Sequence, residues 1–185
     1  MISTGDLKKG IIIEMDRQLF SIMDYQHQKI GRGSAQVRMK IRNVRTGAIS
    51  DTTVQAGSKF PRVRLEQHDM SYLYAEDSNY YFMDQQSYDQ IALTPDQLGD
   101  AINYLKDGLV LQVSFYEEEP VAVDLPITVE LQIVETDPGF RGDTATGGTK
   151  PAKLETGLIV QVPLFVNQGE IIKVDTRSGE YLERV

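Results

Sequence analysis

Between Gln36 and Arg42 the chain alternates strictly between apolar and polar residues. Val37, Met39 and Ile41 fall on one side of an extended backbone, and Gln36, Arg38, Lys40 and Arg42 on the other. A strand has a side-chain period of two, so this pattern predicts a strand with one core face and one solvent face. Similar signals recur. Gly10–Met15 and Leu19–Met23 flank the polar pair Asp16-Arg17 and read as a hairpin. Thr46-Gly47 reads as a turn, Ile49–Val54 as a returning strand, and residues 56–61 as the close of a first unit. Residues 1–64 are therefore expected to form a small β-barrel with a long protruding hairpin.

A second unit is expected over residues 65–125. Ser71–Glu76 and Tyr80–Met83 are strand-like around the turn Asp77-Ser78-Asn79, and Val110–Tyr116 and Val121–Val123 flank the acidic turn Glu117-Glu118-Glu119-Pro120. Helical signals cluster once. Thr94-Pro95-Asp96-Gln97 is a capping box with proline at the first helical position. Leu98, Ala101, Ile102 and Leu105 form one apolar stripe, and Gly108 stands where a C-terminal cap belongs. This predicts a helix of about three turns that plugs the bottom of a barrel. A third unit covers residues 126–185. Thr128–Thr136 alternates, a Gly-rich loop spans Gly139–Gly148, Leu158–Val166 is nearly continuous apolar, and Gly169-Glu170 turns into Ile171–Val174. The fold class is all-β, with one short helix in the second unit. About five short strands per unit suit OB-type barrels.

Charge changes the picture. The net charge is −8, which by itself argues against a nucleic-acid binder. Yet residues 1–64 hold 12 Lys+Arg against 5 Asp+Glu, whereas residues 65–126 hold 1 against 13 and residues 127–185 hold 6 against 9. Such asymmetry points to polyanion contact by the first third alone. The plainer reading, two solvated surfaces, stands beside it. Lys29, Arg38, Lys40, Arg42 and Arg45 are the candidate phosphate contacts, since arginine and lysine neutralise phosphates. Gly31-Arg32-Gly33 sets one arginine between two residues that tolerate φ > 0, as a tight hairpin tip requires. Arg32 would then project from the end of a basic ribbon.

Other chemistry is thin. The chain has no Cys and no Trp, which excludes a disulfide framework, a Cys-ligated zinc and a thiol nucleophile. That suits a reducing cytoplasm. The first residues lack the charged and apolar regions of a leader, and no apolar run approaches the ~20 residues of a membrane span. A cytoplasmic protein with no membrane partner is expected. His27 and His68 are the two histidines, and neither sits in a triad or metal pattern; packing or surface roles are their ordinary fate. Gly147-Gly148-Thr149-Lys150 lacks the order of a Walker loop, and Arg141-Gly142-Asp143 is an adhesion tripeptide by coincidence. No catalytic residue, metal site or cofactor is expected, and hence no enzyme.

Three stretches together resemble bacterial translation elongation factor P. One is Tyr25–Ala35 with Arg32 at its tip. The second runs from Lys150-Pro151-Ala152-Lys153-Leu154-Glu155-Thr156-Gly157 to Val162-Pro163-Leu164-Phe165-Val166-Asn167-Gln168-Gly169. The third is Val174-Asp175-Thr176-Arg177-Ser178-Gly179-Glu180-Tyr181, supported by Gly142-Asp143-Thr144. The resemblance implies an SH3-like (KOW-type) first barrel and two OB-fold domains in an elongated or L-shaped arrangement. It implies a monomer that binds the ribosome beside the peptidyl-tRNA and relieves stalling at consecutive prolines, with Arg32 as the functional loop tip. The family often carries a modified lysine there. Some relatives with arginine carry a rhamnose and others work bare, so Arg32 is a candidate modification site and a tip-modifying enzyme a candidate partner. Gly31 and Gly33 flank the tip, and Arg141, Lys150, Lys153 and Arg177 are weaker candidates for RNA contact. Two alternatives stand: an elongation-factor-P-like paralogue with other stalling targets, and a general single-strand RNA binder that stacks bases on Tyr72, Tyr74, Tyr80 and Phe82.

Overall fold

The computed structural model describes residues 1–28, 35–139 and 148–185. Strands dominate it. In chain order they are β1 (Ile2–Ser3), β2 (Ile12–Met15), β3 (Gln18–Gln28), β4 (Gln36–Asn43), β5 (Ile49–Gln55), β6 (Lys59–Phe60), β7 (Arg62–Val63), β8 (Glu66–Glu76) and β9 (Asn79–Asp84). These are followed by β10 (Gln90–Leu93), the helix α1 (Pro95–Leu98), β11 (Val110–Tyr116), β12 (Glu119–Asp124) and β13 (Thr128–Thr136). The chain finishes with β14 (Thr149–Leu154), β15 (Ile159–Pro163), β16 (Ile171–Asp175) and β17 (Tyr181–Arg184). They build three curled five-stranded sheets, in the orders β5-β4-β3-β2-β7, β10-β9-β8-β11-β12 and β15-β14-β13-β16-β17, with β1-β6 as a small extra pair. By contacts the chain forms two compact units, Met1–Glu66 with Ser114–Ala122, and Gln67–Val113 with Val123–Val185.

Turn chemistry explains the hairpins. Asp16-Arg17, Asp77-Ser78 and Glu117-Glu118 all take positive φ at both central positions, which matches the twist of two-residue hairpins. In the N-terminal unit the inward residues Ile13, Ile22, Val37, Met39 and Ile41 join Ile2 and Leu7 in one core, with Phe20, Tyr25, Val54 and Phe60 packed on it. In the other unit Val129, Leu131, Ile133, Ala152, Leu154, Val160, Val162, Ile172 and Val174 form a second core.

Two expectations change. The three-turn helix is a single α turn, Pro95–Leu98, that passes into a 3₁₀ segment over Gly99–Tyr104. The capping box forms, with the Thr94 N–H donating to Gln97 Oε1 at 2.9 Å. Gly99 then adopts φ 53, ψ −132, outside the helical region and open to glycine, which ends the α turn. Leu98, Ala101 and Leu105 are still buried, but Tyr104 packs into the β13–β16 core. Gly108 caps no helix; at φ 75 its N–H donates to the Tyr72 carbonyl. The second change is a set of additional strands, among them β10, β14 and β17. β14 buries Lys150, Ala152 and Leu154 and exposes Thr149, Pro151 and Lys153, so its polar residues masked a regular alternation.

Gly139 follows the end of β13. A Cβ there would collide with the Leu164 carbonyl oxygen, and that oxygen belongs to backbone that cannot step aside cheaply. Gly139→Ala is expected to destabilise the protein by about 1–3 kcal/mol in a urea or thermal melt, as overpacking does.

Candidate nucleic-acid interface

β4 lies inside the N-terminal sheet with β3 on one side and β5 on the other. Val37 and Met39 are 0% exposed and Ile41 2%, whereas Gln36, Arg38, Lys40 and Arg42 are exposed. The cationic row read from the sequence is thus a surface row, held outward by the burial of its alternate neighbours. β3 keeps the row flanked by polar residues through a β-bulge. Ile22 opposes Ile41, then the register shifts, so that Asp24 opposes Lys40, Tyr25 opposes Met39 and Gln26 opposes Arg38. Without this shift Met23 would oppose Lys40, and Asp24 would share the inward face of Ile22. With it, Tyr25 turns to the core and Asp24 and Gln26 line up beside the cations.

Carboxylates interleave with the row. Lys40 faces Asp24 on β3 and Asp51 on β5. Arg38 Nη2 lies 3.4 Å from Asp51 Oδ2, and Lys9 Nζ 3.0 Å from Asp24 Oδ1. The Lys9 hydrogen bond, helped by the Tyr25 N–H and by the charges of Lys9 and Lys40, holds the Asp24 carboxyl below the usual carboxylate range. Asp24, Tyr25, Gln26, Arg38, Lys40 and Asp51 enclose a shallow cleft. Arg42 sits between Ser21 and Ile49 in the ladders. Arg45 lies on the following turn, where Asn43 Oδ1 accepts from the N–H groups of Arg45 at 2.9 Å and Thr46 at 3.0 Å. Its guanidinium stands 4.0 Å from Glu119 Oε2, at a contact distance too long for a strong pair.

Lys29, Gly31, Arg32, Gly33 and Arg141 lie outside the described residues. Gln28 and Gln36 are Cα partners at the end of the β3–β4 ladder. The remaining candidates are not gathered with them. Lys150 is 5% exposed and its Nζ donates to the Asp137 carbonyl at 2.6 Å, so its ammonium is used inside the fold. Lys153 is exposed on β14. Arg177 forks onto Asp175, with Nε to Oδ1 at 3.2 Å and Nη2 to Oδ2 at 2.7 Å. Asp175 Oδ1 also accepts from the Arg177 N–H at 2.8 Å, a local turn bond. The Arg177 side chain first, then that N–H, lowers the Asp175 carboxyl to about 2.

The aromatics read as a stacking platform divide. Phe82 is fully buried and Tyr72 packs on it at 5.4 Å, with Tyr80 at 6.4 Å from Tyr72. Tyr74 is exposed and stacks on Tyr81 at 4.8 Å. Of the histidines, His27 meets Tyr25 edge-on at 6.0 Å. His68 Nδ1 lies 2.5 Å from buried Asp84, whose carboxylate also accepts from the N–H groups of Gln86 and Ser87. Among the described residues no group of three or more His, Asp or Glu could hold a metal ion, and no helix is long and apolar enough to cross a membrane.

Three family models match in succession: the elongation factor P KOW-like domain over residues 3–60, its OB domain over 65–123 and its C-terminal domain over 129–184. An elongation factor P from Thermoanaerobacter sp. (strain X514) is 52% identical over 185 residues, all of both chains. The chain belongs to the elongation factor P family. Another member, from Desulforudis audaxviator (strain MP104C), is 50% identical over 184 residues, again 100% of each chain. Membership makes this protein a translation factor of protein biosynthesis, with KOW-like and OB-type domains. A solved translation initiation factor eIF-5A family protein from Naegleria fowleri ATCC 30863 is similar over 67% of this chain and 96% of its own, with TM-score 0.50 and 14% identity. That likeness concerns the fold alone.

The Asp175 turn predicts a pH effect. A carboxyl lowered from 3.8 to about 2 in the folded state adds stability that is complete above pH 3.8 and is lost as pH falls through about 2. Asp175→Asn should therefore lower stability at pH 7 and matter progressively less from pH 4 down to pH 2, read by urea melts across that range.

Proposed function

We propose that this protein is a non-enzymatic factor that binds the ribosome beside the peptidyl-tRNA and promotes peptide-bond formation at consecutive prolines, bracing the tRNA acceptor end with the loop that carries Arg32. The observation behind this reading is the exposed row Arg38, Lys40 and Arg42 on β4, a strand that buries its other face. Proline is a rigid, poor partner in peptide transfer. Holding the peptidyl-tRNA end in near-attack geometry restores the rate with no bond chemistry by the factor itself. Such a task needs a stiff cationic probe, and paired strands supply the stiffness.

In this reading Lys29, Arg38, Lys40, Arg42 and Arg45 neutralise phosphates, and Gly31 and Gly33 give Arg32 its freedom. Lys153 and Arg177, with Arg141, are secondary contacts of the C-terminal domain; Lys150, with its ammonium bound internally, serves the fold. The burial of Phe82 disfavours the general single-strand binder. A division into domains 1–64, 65–125 and 126–185 is part of the proposal, and the spans of the three family models support it. The factor acts as a cytoplasmic monomer, with Arg32 either bare or the substrate of a tip-modifying enzyme.

In vitro translation of a message with three consecutive proline codons tests the proposal. Added protein should raise full-length product, and no rise refutes it. Arg32→Ala should abolish the rescue and leave the melting temperature unchanged. Replacing Arg38, Lys40 and Arg42 together by alanine should weaken ribosome binding and reduce the slope of log affinity against log salt by roughly 2.

A further inference from the structure

A cationic face on its own binds any RNA, because phosphate neutralisation carries no sequence or shape information. The face on β4 is built differently. Two carboxylates stand inside it, one from each neighbouring strand. Asp51 holds Arg38 at 3.4 Å, and both Asp24 and Asp51 are Cα partners of Lys40. Neither carboxylate is needed by the core, since their side chains are 51% and 54% exposed. Asp24 is nevertheless fixed, by Lys9 at 3.0 Å and by a hydrogen bond from the Tyr25 N–H at 3.0 Å. It reaches this place only because of the bulge at Met23.

We propose that Asp24 and Asp51 set the specificity of this face: they repel loosely placed phosphates and admit only a polyanion whose phosphates reach Arg38, Lys40 and Arg42 along the outer edge of the row. This rests on the RNA-facing reading given above. A flexible single strand has to bring its phosphates close to a carboxylate whenever it approaches Lys40, and has to displace Asp51 from Arg38. A rigid, pre-shaped RNA surface holds its phosphates at fixed positions and avoids that repulsion. The carboxylates thus lower affinity for free RNA more than for the structured target, and discrimination is the difference between the two.

The full-length chain and its Asp24→Asn/Asp51→Asn variant are compared for binding to a ten-residue uridine oligoribonucleotide and to ribosomes carrying peptidyl-tRNA. The variant should bind the oligoribonucleotide roughly tenfold more tightly near 0.1 M salt, with a log–log salt slope steeper by roughly 1 to 2, and its preference for ribosomes should fall. Asp6→Asn/Asp16→Asn makes the same change in net charge away from the face and should leave oligoribonucleotide affinity within about twofold. Equal tightening by this control would overturn the proposal, because net charge and not placement would then be at work. Unchanged oligoribonucleotide affinity in the Asp24/Asp51 variant would also overturn it. The Arg38→Ala/Lys40→Ala/Arg42→Ala variant separates the two readings. If it weakens ribosome binding while the carboxylate variant behaves like wild type, the RNA face stands and the role of the carboxylates falls. If it binds ribosomes and oligoribonucleotide as wild type does, both fall together.

Discussion

The two-residue period of β4 is the constraint on which the rest depends. Val37, Met39 and Ile41 each gain about 1.5–3 kcal/mol by leaving water, and they can all do so only in one register. That register drives Arg38, Lys40 and Arg42 outward. A slip by one residue would bury three cations and expose the core, so the charged row is as firmly specified as the core beneath it. The bulge at Met23 extends this control to β3, where it turns Tyr25 inward and brings Asp24 alongside Lys40.

Much of this was legible in the sequence, and the exceptions have physical causes. The β4 faces, the Asp16-Arg17 and Asp77-Ser78 turns and the alternation of β13 follow from local pattern, and the structure keeps them. The place of Asp51 beside Lys40 follows from the tight turn after Asn43, which fixes the β4–β5 register. Asp24 was hidden, because a bulge shifts pairing by one residue and leaves no mark in the pattern of β3. The helix is shorter than its pattern predicts: the apolar spacing is real, but Gly99 takes a backbone conformation that stops an α-helix after one turn. β14 escapes the pattern because Lys150 points inward, where the Asp137 carbonyl receives its ammonium, and period-two reasoning counts lysine as an outward residue.

Charge is sorted by role. In the N-terminal unit Arg38, Lys40 and Arg42 are exposed on one face of β4, with Arg38 beside Asp51. In the C-terminal sheet Lys150 and Arg177 are drawn into local bonds, one to a backbone carbonyl and one to Asp175, and the turn that Asp175 organises also ties Thr176 to the Pro126 carbonyl. Lys106 is the one cation of residues 65–126, and it too is engaged, donating to the Glu130 carbonyl.

Amine labelling of Lys40, followed by mass spectrometry, tests that division most directly. The protein is labelled free and in its complex with ribosomes stalled on consecutive prolines, after co-sedimentation has established binding. If β4 faces RNA, Lys40 should label several-fold more slowly in the complex. Equal labelling of Lys40 in the bound and free states would contradict the account, since the row would then remain in water while the factor is at work.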